Sequence, residues 1–176
     1  IILAANAILL NFFFIFSYGL DGFAHASEAL VGSAVGKRDV QLTKNSIYST
    51  GKFSLIITFF YLIIFLIFDE LIISLITSLE LVQIAAIHFS FWLYLIFIFG
   101  AVAFWLDGVF IGVMKNKLLR NVMVISGLIF FLFENFLLNL ANSGLWIAFL
   151  LFFVSRSLLL TTSLIWYWKK DKLLMN

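Results

Sequence analysis

Apolar residues run along this chain in long, nearly unbroken blocks, and the polar residues collect between the blocks. Five blocks approach the about 20 mostly apolar residues that a bilayer-crossing helix needs. They predict helices over residues 3–35, 46–68, 84–113, 119–141 and 145–168. Strict alternation is missing, and barrel strands of about 10 residues would leave much of each block unused. The expected fold class is all-α and polytopic, with no domain boundary inside residues 1–176.

The joints read "GKRDVQLTKN", "DELIISLITSLELVQ", "KNKLLRN" and "NSG", with a tail "KKDKLLMN". The second joint is long and partly apolar. Its Leu71, Ile72, Leu75, Ile76 and Leu79 can form one side of a short interfacial helix. Charge then adds direction. Lys37, Arg38, Lys44 and Lys52 flank the first joint, Lys115, Lys117 and Arg120 the third, and Lys169, Lys170 and Lys172 the tail. With five crossings all of these fall on one side of the membrane. The opposite joints hold Asp69, Glu70 and Glu80. The positive-inside rule assigns the Lys/Arg side, and so the C-terminus, to the cytoplasm.

Composition narrows the class further. The chain is 64% hydrophobic, 19% aromatic and 11% charged, where a soluble domain is roughly 25% charged. One soluble core of this size cannot hide a mean hydropathy of +1.16. The net charge of +2 gives no reason to expect a nucleic-acid partner. Cysteine is absent, so a disulfide framework and thiolate metal ligands are excluded. No phosphate-binding loop, dinucleotide fingerprint, nucleophile elbow or paired-histidine motif occurs. The chain is expected to be no enzyme and to carry no cofactor. Ile1 already lies in an apolar run without a leader pattern, so the start of the whole protein is expected upstream.

Against this background the intramembrane polar residues stand out, because a charge at mid-bilayer costs about 2.5–3.5 kcal/mol on insertion scales. Asp21, His25 and Glu28 fall at i, i+4 and i+7, with Tyr18 one turn before and Gly32 one turn after. That spacing makes one polar stripe on one helix. The stripe suits proton or cation binding, or contact with a cationic substrate; the competing reading is a structural ion pair. Asp107 sits beside Gly108 in the third helix, Glu134 near the middle of the fourth, and Arg156 in the fifth. An unpaired arginine at that depth is improbable on cost, so Arg156 is expected to meet Glu134, Asp107 or Glu28. Gly32 with Gly36, and Gly108 with Gly112, have the small-xxx-small spacing of close helix packing.

Two stretches carry a resemblance. "SYGLDGFAHASEALVGSAVGKRD" followed later by "WLDGVFIGVMKNKLLRN", with "SGLW" and "VSRSLLL" in the last helix, resembles the C-terminal lobe of a MATE (multidrug and toxic compound extrusion) transporter of the DNA-damage-inducible F branch. The resemblance implies a twelve-helix fold of two six-helix lobes, of which this chain would supply helices eight to twelve. The N-terminal lobe and the preceding helix would be its partners, in a bacterial plasma membrane. It implies antiport: export of small amphipathic or cationic compounds in exchange for H+ or Na+. In some members an Asp on helix ten binds the coupling cation, and Asp107 matches that position, so Na+ at Asp107 is one option. The expected coupling residues are Asp107 and Asp21, then Glu28 and Glu134, with Arg156, His25 and Tyr18 organising the cavity or its ion pairs. Two rivals remain: a flippase for lipid-linked precursors, and a non-transporting membrane subunit.

Overall fold

The computed structural model describes residues 1–169. Lys170 and Lys172, counted above among the tail cations, lie outside the described residues. The chain forms α1 (Ile2–Gly36), α2 (Val40–Ile76), α3 (Glu80–Gly112), α4 (Asn116–Phe136), a short 3-10 turn (Leu138–Leu140) and α5 (Ala141–Lys169). All five α-helices are long and apolar enough to cross a membrane, and the molecule is an integral membrane protein.

Short links join the helices, so neighbours in sequence run antiparallel and α1, α3 and α5 point the same way. The α1–α2 and α3–α4 links are the same turn. At the first, Arg38 has φ 54, with Arg38 N–H donating to the Val35 carbonyl and Asp39 N–H to the Ala34 carbonyl. At the second, Met114 has φ 59, with bonds from Met114 to Ile111 and from Lys115 to Phe110. This is the Schellman pattern, with a left-handed residue one past the helix cap. Asp39 then caps α2, its carboxylate accepting from Leu42 N–H at 2.8 Å.

One expectation is corrected here. Leu71, Ile72, Leu75 and Ile76 form no separate interfacial helix; they continue α2, and Leu79 is the residue before α3. No glycine or proline interrupts α2 after Gly51. Asp69, which looked like a helix-ending charge, is half-buried and tied to α3: Tyr94 donates its hydroxyl to Asp69 Oδ2 at 2.5 Å, and Ser90 Oγ stands 3.4 Å from the same oxygen. Helix α2 also begins at Val40, a turn and a half before the expected start at residue 46.

α3 is the hub, packed on α1, α5 and α2, while α4 rests mainly on α5. Two apolar clusters hold these helices. The larger contains Phe12, Phe16, Phe65, Phe97 and Phe153, with Phe16 stacked on Phe97 at 4.0 Å between centroids. The smaller contains Val31, Leu106, Phe110, Val113 and Leu160 at the Lys/Arg-rich end. On α1 the first cluster stops at Leu20 and the second resumes at Val31; on α5 they stop and resume at Phe153 and Leu160. Asp21, Glu28 and Arg156 occupy that gap, and Asp107 meets them there from α3.

Candidate functional site

Three parallel helices bring charge to the gap between the clusters. α1 contributes Asp21, His25 and Glu28, α3 contributes Asp107, and α5 contributes Arg156. Together with Ala24, Phe104, Gly108 and Ile111 they line a cavity of about 270 Å³. Its position follows from local packing. A Cβ on Gly108 would lie 2.0 Å from the Ala24 carbonyl oxygen, and one on Gly112 would lie 2.9 Å from the Glu28 carbonyl oxygen. Only glycine lets the α3 backbone approach α1 this closely, and that approach sets Asp107 opposite the Asp21–Glu28 stripe.

Arg156 pairs with Asp107: its Nη2 donates to Asp107 Oδ2, with the two side chains 11% and 17% exposed. The guanidinium also lies over the Phe104 ring at 5.9 Å and the Phe152 ring at 5.8 Å. Two ring faces and one carboxylate hold the guanidinium in place at the cavity wall. Of the three partners expected for Arg156, the structure brings only Asp107 to it. Asp21, half-buried across the cavity, acts on Asp107 as a repelling like charge. His25 Nδ1 and Glu28 Oε2 stand 3.6 Å apart on the more exposed side, with His25 80% and Glu28 44% exposed.

The remaining expected residues fall elsewhere. Glu134 is half-buried on α4, does not line this cavity and makes no ion pair among the described residues. Tyr18 is 71% exposed and stacks on Phe14 instead of facing the cavity. A Cβ on Gly36 would meet nothing within 4 Å, whereas one on Gly32 would touch the Gly112 backbone at 3.6 Å. No three His, Cys, Asp or Glu side chains among the described residues gather closely enough to hold a metal ion.

Phe104 and Phe152 were missed by sequence reasoning, although helical spacing could have found them. Phe104 is three residues before Asp107 and Phe152 four before Arg156, so each shares a face with its charged partner. A second polar cluster, at the end opposite the lysines, carried no such signal. There Asn6 and Asn142 exchange amide hydrogen bonds of 2.6 and 3.0 Å, and Trp146 Nε1 donates to Asn6 Oδ1 at 3.0 Å. This clasp ties the start of α1 to the start of α5.

A family model described as MatE matches residues 1–140. The DNA damage-inducible protein F of Escherichia coli (strain K12) is 34% identical over 170 residues, which is 96% of this chain and 37% of that protein. The chain thus spans little more than a third of that relative's length. No solved structure matches significantly.

Proposed function

We propose, from the premise that this chain belongs to the MatE family, that it forms most of one lobe of a gradient-driven exporter of small cationic amphiphiles. The observation that carries this reading is the Asp107–Arg156 pair on the wall of an intramembrane cavity lined by three helices. Three carboxylates (Asp21, Glu28 and Asp107) against one guanidinium leave the lining net negative when His25 is neutral. Such a cavity attracts an organic cation, and its apolar members Phe104 and Ile111 suit an amphiphile. A flippase for pyrophosphate-linked lipids asks for the opposite sign.

Coupling follows from competition. A proton or sodium ion at Asp107 weakens its hold on Arg156, and a freed guanidinium changes the charge that a bound cation meets. Ion and substrate are then two ligands linked through one carboxylate. In this reading the other helices of the family's fold close the cavity's open side, and the Lys/Arg-rich end lies in the cytoplasm. Reconstitution of the whole protein in vesicles tests it, with a fluorescent organic cation as substrate and imposed pH or sodium gradients as drive. Asp107→Asn should abolish gradient-driven efflux while the protein still elutes as a folded species. Undiminished efflux by that variant would overturn the assignment.

A further inference from the structure

A second recess lies on an outer face of the bundle and shares no lining residue with the charged cavity. Along α2, Tyr48, Lys52, Ile56 and Phe59 follow one another at helical spacing, and with Trp105 of α3 they line a groove of about 450 Å³. Gly51 forms its floor. A Cβ there would lie 2.6 Å from the Trp105 ring, so the indole rests directly on the α2 backbone. The ring is fixed by its Nε1 donating to Thr50 Oγ1 at 3.2 Å. The Trp105 wall of the recess is therefore fixed by packing.

Its polarity is that of an amphiphile seat. Lys52 is exposed and is, among the described residues, the single charged group lining it. The groove runs along α2 from Tyr48 and Lys52, on the side nearer the lysine-rich end, past Leu55, Ile56 and Phe59. We infer that this groove binds an anionic phospholipid, with the phosphate on Lys52 beside the Tyr48 hydroxyl and one acyl chain along Ile56, Phe59 and the Trp105 ring. Charge complementarity selects the headgroup: an exposed ammonium with no carboxylate beside it in the groove prefers a net-negative lipid to a zwitterion.

Native mass spectrometry of the whole protein, released from mixed phosphatidylglycerol and phosphatidylcholine micelles, tests the inference. The wild-type protein should retain phosphatidylglycerol in preference to phosphatidylcholine. Lys52→Gln should weaken that retention about fivefold. Ile56→Trp, which fills the groove and leaves the charge alone, should weaken it as well. Lys117→Gln removes an exposed cation from the same end but outside the groove, and should retain lipid as the wild type does. Equal retention of the two lipids would overturn the inference. So would indifference to both groove variants, the result if another part of the protein covers the groove. An equal loss in Lys117→Gln would also overturn it, as would displacement of the bound lipid by inorganic phosphate alone.

Discussion

Arg156 illustrates how one residue's surroundings decide its role. Its charge was legible in "VSRSLLL" and so was its need for a carboxylate, but three carboxylates were available. The choice of Asp107 depends on Gly108 and Gly112, which fix how closely and in which rotation α3 meets α1. That information is tertiary, and no single-helix pattern contains it. The pair is mostly buried, so removing one member strands the other. Arg156→Gln should cost on the order of 3–5 kcal/mol of stability in detergent-based unfolding. Asp107→Asn combined with Arg156→Gln should cost less than the sum of the two single changes, because no uncompensated charge is left. Strict additivity in this double-mutant cycle would show that the contact contributes no coupled energy.

At the scale of elements, hydrophobic length places α1 to within a residue at each end, but α3 and α5 each begin four residues before the expected 84 and 145, and α4 is Asn116–Phe136 where 119–141 was expected. Helix α2 was read short at both ends for two separate reasons. Its first turns, Val40–Asn45, carry polar residues that face water and so resembled a loop. Its last turns follow Asp69 and Glu70, which resembled a stop. Asp69 is in fact satisfied by Tyr94 from the neighbouring helix, a partner 25 positions away. Backbone chemistry places the real boundaries. Asp39 supplies a side-chain cap, so Asp39→Ala should lower stability by about 1 kcal/mol. Met114 holds a left-handed conformation that favours glycine. Met114→Gly should therefore raise stability by up to about 1 kcal/mol, the relieved strain being partly offset by the greater freedom of the unfolded chain. Unfolding midpoints of the two variants should move in opposite directions; a lowered midpoint for Met114→Gly would show that this turn stores no strain.

For the whole molecule, the two apolar clusters and the charged gap between them form one arrangement. Phe-rich packing holds the end with the Asn6–Asn142 clasp, Val/Leu packing holds the lysine end, and the ionisable groups sit where neither cluster fills the space. The parallel direction of α1, α3 and α5 places Lys37, Lys115 and Lys169 at one end, with Asp69, Glu70 and Glu80 near the other. This asymmetry was fully legible, because it needs only the helix count and the charge positions. The cavity was not, because it needs the rotation of each helix. Orientation across the membrane can be read by single-cysteine labelling in a cysteine-free background of the whole protein, to which these residues contribute no cysteine. Ser78 is exposed in the α2–α3 link, and Asn116 is exposed at the start of α4. In intact cells a membrane-impermeant maleimide should label Ser78→Cys of the whole protein, and should label Asn116→Cys only after the membrane is opened. The reverse pattern would place the lysine-rich end outside. Asp107, nearer that end of α3 than the other, would then be the carboxylate closer to the external medium, and the direction of the proposed exchange would have to be inverted with it.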